Sequence, residues 1–552
     1  MCAPQDVRGI SFDLWRMAVH GCRQQAKGCK GMRAAWWRLT NTEFSARKSA
    51  VIFALMLLTV ALQSALSAVS QPFWYDEIIT VILCRLPSMS EIWVALHNAA
   101  DGNPPGFFLV ARLAHKLIAE DHLGYRLPSI LGLLLTVFCV YLILSKRLNR
   151  LTALVGAAFL LCTSLTPYAY EARPYSLMVG CIAAAILALQ RVDDSKLYPF
   201  MLAFSLAAAV SLHYYAIFAW PAFFAAELTG WISHRRFRAK VWMSLLVGVL
   251  PLLCFAGLLK QLSTYYGQNY WAQPHFKQVY STYNTLLNVD SHWGVIYAIG
   301  FTAVVMWSNI IRRPGPVALR DEKKETTLLP IEEWVLALML LWLPAIAFTA
   351  AKISHGGLTE RHMLTAILGC ALTLGYAIDR MSIVIRLLLL VLFLINYEAS
   401  AVPTLRDVMG GSLLAQRENA EHEMATLVGQ LHEPGLPIVV GPELDYLPIV
   451  YYTPPDLGKR LYVIVDPSAA VAYLDTASVD LSLLALQPYY PFQAVKFDSF
   501  ISTHREFLLV TGGDFDWLTA RLLHDGATLS LVSGGEVGER SVYKVVTAAE
   551  SR

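Results

Sequence analysis

Two adjacent carboxylates, Asp76 and Glu77, stand in the run FWYDE (73–77), just after an apolar run from about Ala50 to Ser70. A membrane-spanning helix needs about 20 apolar residues, and that run is long enough. The pair therefore sits where membrane meets water, at the depth of a lipid-attached head group. Carboxylates move protons and bind cations; arginines hold anions. Both kinds recur in the loops that hydropathy assigns to this same face. HNAADGNPPGFF (97–108) and GYRLPS (124–129) share the first loop with the acids, and TPYAYEARPYS (166–176) forms the second. HYY (213–215), STYYGQNYWAQPHF (263–276) and SHGGLTERHML (354–364) follow. Ionisable groups at this depth are costly unless they pair or bind something, so function is their default reading.

The elements that must carry these loops are membrane helices. The chain has 552 residues, 56% hydrophobic and only 15% charged, against about 25% charged in a usual soluble domain. A net charge of +3 gives no reason to expect nucleic acid. Lys and Arg in short loops mark the cytoplasmic side. The basic leader (1–49) is then inside, the first span is an uncleaved signal anchor, and residues 71–126 form a long outer segment. Basic clusters at Lys146–Arg150, Arg191–Lys196, HRRFRAK (234–240) and Arg312–RDEKKE (320–325) mark the inward returns. The last runs cover about 333–353, 361–379 and 382–398. This order predicts about eleven spans, with the C-terminus outside the cytoplasm.

Residues 401–552 differ in kind. PIVVG (437–441), LYVIV (461–465), EFLLVTGG (506–513) and SVYKVV (541–546) read as strands, and 415–431 and 515–524 as helices. The expectation is a small extracytoplasmic α/β domain. It follows a transmembrane domain over 50–400. No cysteine follows Cys370, so no disulfide framework is expected there.

With these motifs in order, the chain resembles integral-membrane glycosyltransferases of the GT-C superfold, in the branch of protein O-mannosyltransferases and lipid A aminoarabinose transferases. The residues carrying the resemblance are the acidic pair, Asn-Pro-Pro-Gly-Phe-Phe with Arg-Leu-Pro-Ser, Glu-Ala-Arg-Pro-Tyr-Ser-Leu, and His-Tyr-Tyr. It covers roughly residues 50–380. It implies transfer of a sugar from a polyprenyl phosphate to a hydroxyl acceptor on a glycan, lipid or protein, with inversion at the anomeric carbon, in a bacterial inner membrane.

Such a transfer needs a base for the acceptor and cations for the leaving phosphate. Asp76 is the candidate base, with Glu77 beside it as support or metal contact. Arg173 and Arg361 are the candidate phosphate ligands; an Arg173–Glu171 ion pair and a snorkelling Arg361 are the structural alternatives. Asp101, Asn103, Glu171, Tyr175, His213, Tyr214 and Tyr215 are candidate substrate contacts, and interfacial solvation and aromatic belts are their alternatives. The family usually shows Arg-Tyr where this chain has Arg361-His362. Some relatives carry Lys or His before the two prolines and a larger apolar residue after them, where Asn103 and Gly106 stand here.

No cofactor is assigned, and a divalent metal stays open. His355, Glu360 and His362 lack the His-Glu-x-x-His arrangement of a zinc helix, and Asp514-Phe515-Asp516 reads as a helix cap. A transporter or flippase of a lipid-linked sugar is the alternative function. Transporters place their charged groups near mid-membrane in broken helices, whereas the charges here gather at one face. An anchored outer-domain receptor needs fewer spans.

Overall fold

The computed structural model describes residues 45–267, 270–289, 294, 296–300, 302–304, 329–354, 356–379, 381–410, 417, 435–512, 516–534 and 540–547. Among them, α1 (Ala46–Ser70) and Asp121–Arg147 are long and apolar enough to cross a membrane. Two bent pairs, Ala239–Cys254 with Ala256–Tyr266 (51°) and Ile331–Leu341 with Leu343–Ser354 (60°), raise the count to four if each is one span. Four further apolar helices, among them Tyr175–Gln190, Leu197–Leu212 and Ala366–Ile378, have only 10–17 residues. By length and composition the described residues thus support two to four spans, and the eleven expected are not confirmed by this count. Hydropathy averages over breaks: the run after Ile331 contains Pro344 and bends there, and the run after Arg150 leaves its helix at Leu160. The topology drawn from the basic clusters is correspondingly not tested by this count.

The helices nearest the acidic pair are α2 (Tyr75–Cys84), α3 (Gly106–Leu117), α4 (Asp121–Arg147), α5 (Tyr175–Gln190) and α6 (Leu197–Leu212). In α3, Phe107, Phe108, Ala111 and Ala114 face the core while Leu109, Val110, Leu113 and Leu117 are exposed. An outward apolar face is what a helix lying along a membrane presents. Its first residue explains one departure from the family pattern: a Cβ on Gly106 would stand 2.3 Å from the Ser211 carbonyl oxygen. The double proline turn is thereby pressed onto the end of α6, two residues before His213.

Helices α4 and α5 cross with their backbones nearly touching. A Cβ on Gly132 would meet the Leu177 nitrogen at 2.3 Å, and one on Gly180 the Gly132 carbonyl at 2.7 Å. Small residues permit such approach between apolar helices, where packing replaces the hydrophobic drive. Just above the crossing, Ser129 Oγ donates to the Arg173 carbonyl at 2.8 Å. The loop bearing Glu171 and Arg173 is fixed to α4 in this way.

Among the described residues, six strands build a sheet in the C-terminal region: β1 (Ile438–Val440), β2 (Leu461–Val465), β3 (Gln493–Lys496), β4 (Glu506–Thr511), β5 (Thr528–Ser533) and β6 (Ser541–Val546). Their order is β3-β2-β1-β4-β6-β5. Strands β3, β2, β1 and β4 are parallel, and β6 runs antiparallel to both β4 and β5. The four apolar runs expected as strands are β1, β2, β4 and β6. The two unforeseen strands, β3 (QAVK) and β5 (TLSLVS), lie at the sheet edges and carry no continuous apolar run. The expected helix at 515–524 forms over Trp517–His524 with Asp516 as its cap, accepting from the Thr519 nitrogen at 3.0 Å. Asp514 and most of 415–431 lie outside the described residues.

This region rests on the loops that hold the acidic pair. The Phe73 nitrogen donates to Tyr452 Oη at 2.6 Å and Asn98 Nδ2 to Tyr489 Oη at 2.9 Å. Tyr265 Oη donates to the Leu481 carbonyl at 3.0 Å, and the Trp271 nitrogen to Ser478 Oγ at 3.1 Å.

Candidate active site

Asp76 and Glu77 open α2, where the helix dipole favours negative charge. Successive helical positions point about 100° apart at 3.6 residues per turn, so the two acids face different surroundings.

Glu77 turns inward. Its Oε1 and Oε2 accept from Arg126 Nε and Nη2 at 2.7 and 2.6 Å. The Ala172 nitrogen adds a bond of 2.6 Å and the Trp74 nitrogen one of 3.3 Å, the latter capping the helix. Arg126 also donates to the carbonyls of Ala68, Gln71 and Pro72 and lies 4.9 Å over the Phe73 ring. A buried ion pair is tolerable only when its remaining lone pairs and protons are satisfied in this fashion. Arg126 is visible in the GYRLPS run, but its partner was not foreseeable there, because the pairing spans 49 positions of chain.

Asp76 turns toward two guanidiniums. Its Oδ2 accepts from Arg361 Nη1 at 3.0 Å and lies 3.8 Å from Arg173 Nη2. Its side chain is 19% exposed, and Oδ1 has no partner among the described residues. Arg173 is held from three sides: Nη1 donates to the Asp76 carbonyl (3.0 Å), Thr80 Oγ1 (3.1 Å) and Asp101 Oδ2 (3.0 Å). Asn103 sets Asp101 in turn, donating its backbone nitrogen and Nδ2 to Oδ1, both at 2.7 Å. The carboxylate partners of Arg173 are thus Asp101 and Asp76, not Glu171.

Glu171 has a different state. Its Oε2 is buried without a hydrogen-bond partner. Burial first, and then the nearby Glu77 carboxylate, push its carboxyl up to about 8.

Tyr175, His213, Tyr215 and His362 form a ring cluster beside Arg361. The Arg361 guanidinium lies 5.8 Å from the Tyr175 ring centre and 5.4 Å from that of Trp271. His362 stacks on Tyr215 at 3.9 Å, and His213 stands 5.2 Å from Tyr175. Tyr215 Oη donates to the Gly357 carbonyl, which ties this turn to the loop bearing Arg361. Burial and the two arginines hold His213 down at about 3, so it is uncharged at neutral pH. Tyr214 points elsewhere, packing edge-on against Phe255. Asp76, Asp101, Asn103, Arg173, Tyr175, His213, Tyr215 and Arg361 are brought together, with Glu77 and Glu171 just behind. Among the described residues no three His, Cys, Asp or Glu side chains group as metal ligands do.

Comparison with known proteins sets this geometry in context. Residues 102–259 match the family model described as dolichyl-phosphate-mannose-protein mannosyltransferase. ArnT from Cupriavidus metallidurans in the apo state is similar in structure, with a TM-score of 0.52 at 14% identity, covering 90% of this chain and 98% of that one. ArnT bound to undecaprenyl phosphate matches at TM-score 0.41 and 13% identity, covering 91% and 98%. The Archaeoglobus fulgidus oligosaccharyltransferase tethered with an acceptor peptide matches at TM-score 0.35 and 11% identity, covering 83% and 69%. No curated protein matches in sequence. The resemblance read from the motifs is therefore present in the fold: this chain is built like the GT-C membrane glycosyltransferases.

Proposed function

We propose that this protein transfers a sugar from a polyprenyl-phosphate donor to a hydroxyl acceptor at the extracytoplasmic membrane face, with Asp76 as general base. One observation carries the reading. Arg173 and Arg361 converge on Asp76, and the Nε of each is buried without a hydrogen-bond partner. Buried N–H donors left unmade are costly, and two guanidinium forks around one point suit a phosphate.

In the proposed reaction the acceptor oxygen attacks the anomeric carbon from the side opposite the phosphate. Its proton passes to the free Oδ1 of Asp76, the carbon–oxygen bond to phosphate breaks, and configuration inverts. Arg173 and Arg361 take up the charge of the departing phosphate. Arg361 then exchanges part of its contact with Asp76 for the phosphate, which leaves the carboxylate a stronger base as donor binds. Glu77 does no chemistry in this scheme; with Arg126 it positions the turn that aims Asp76. The distribution of Lys and Arg along the sequence supports a site outside the cytoplasm.

Mass spectrometry of cell-envelope glycans with and without the protein tests the proposal. A glycan or glycoconjugate that loses one sugar residue in its absence is expected. An unchanged profile, in cells shown to express the protein, overturns it.

A further inference from the structure

His213 and His362 are 5% and 6% exposed, with rings 5.4 Å apart. Each ring has one nitrogen already committed. His213 Nδ1 accepts from the Tyr215 nitrogen at 3.2 Å, and His362 Nδ1 accepts from the Thr359 nitrogen at 3.3 Å. A ring nitrogen that accepts must offer its lone pair, so in the neutral imidazole the proton sits on Nε2. Two backbone amides thus lock both rings in the same tautomer. Neither Nε2 has a protein acceptor among the described residues. The groups facing the pair are Arg173, Arg361, Tyr175 and Tyr215, none of which offers a carboxylate. Burial and the neighbouring positive charges keep both rings uncharged.

We infer that His213 and His362 are a pair of fixed, uncharged N–H donors for oxygen atoms of the lipid donor's head group. The inference rests on the proposed donor site and adds its second half. The arginines supply charge for the phosphate, while the imidazoles supply direction without charge. A protonated pair there would add two positive charges beside two guanidiniums, and the tautomer lock avoids that. Phosphate oxygens and sugar hydroxyls present the same acceptor chemistry, and the probe separates them.

The test measures binding of undecaprenyl phosphate and of a mannosylated polyprenyl phosphate to the purified full chain, with melting followed in parallel. Glutamine sets an amide N–H near the Nε2 position, whereas asparagine reaches only Nδ1. His362→Gln should bind within about threefold of wild type. His362→Asn and His362→Phe should each lose about tenfold, the value of one hydrogen bond of about 1.4 kcal/mol. His213→Gln and His213→Phe should divide in the same way. Binding of the mannosylated lipid, a phosphodiester that does not titrate here, should stay flat between about pH 5.5 and 7, since neither ring gains a proton in that range. Loss seen already with undecaprenyl phosphate assigns the donors to the phosphate; loss seen only with the mannosylated lipid assigns them to the sugar. If the phenylalanine variants bind both lipids as wild type does while Arg173→Ala and Arg361→Ala do not, the inference fails and the donor site stands. If wild type binds neither lipid, the donor site itself fails and the inference with it.

Discussion

Glu77 and Arg126 meet side-on through two hydrogen bonds, at 2.7 and 2.6 Å, with both side chains only 1% exposed. Through this pair the end of α1, the start of α2 and the loop before Arg173 are joined, because Arg126 also holds three carbonyls of 68–72 and Glu77 the Ala172 amide. Removing one partner leaves a buried charge unmatched, so Arg126→Ala should destabilise by about 3–5 kcal/mol. The double variant Glu77→Leu with Arg126→Met should melt above either single variant. Thermal unfolding of the four proteins checks this, and additive losses would show that the two charges do not depend on each other.

Asp76→Asn keeps size and hydrogen bonding but removes the proton acceptor. Transfer should fall by about 100- to 10,000-fold with melting little changed. Near-normal turnover by the purified variant would remove Asp76 as the base.

Arg173 is bound by geometry as much as by charge: one nitrogen meets three oxygens, two on α2 and one on the loop bearing Asp101. Arg173→Lys keeps the charge but not the planar fork, so donor binding should weaken, and Arg173→Ala should weaken it further. Acceptor affinity should change little. Equal donor binding in all three would place the phosphate on Arg361 alone.

Glu171 gives a pH dependence with a defined sign. Its folded value, up to about 8, lies above that of an unfolded glutamate at about 4.3, so the folded protein binds the proton more tightly. Its contribution to stability is complete at acid pH and declines as pH rises through about 8. Activity should fall over the same range as a new carboxylate appears beside Asp76 and Glu77. Glu171→Gln imitates the protonated form, so it should retain activity at pH 7 and extend the plateau to higher pH. An unchanged alkaline limb in this variant would assign the titration to another group.

The sequence exposed the kinds of residue at the site better than their pairing. FWYDE, EARPYS and TERHML each announce a charged group near a helix end, where charge must be explained. Which arginine meets which acid depends on helix crossings, and Arg173 finds Asp101 and Asp76 from 72 and 97 positions away. Local spacing suggested Glu171, two residues away, and the backbone turn between them points it elsewhere. In the sheet, the runs with an uninterrupted apolar core, IVV and LYVIV, declared themselves. QAVK did not, since an edge strand is stabilised by its neighbour's hydrogen bonds more than by its own side chains. Span number was least legible, because mean hydropathy does not register where an apolar run bends.

The contact of Gly132 with Gly180 has a consequence for how such a site drifts. Side chains can re-pack around a lost methyl, but two backbones in contact have nothing left to yield. A single added carbon at either glycine would act as a spacer, lifting the loop that carries Arg173 away from the helix that carries Arg126. The spacing between the Arg173 loop and the helix that carries Arg126 is therefore written into the absence of two side chains, within α4 and α5 and away from their ends.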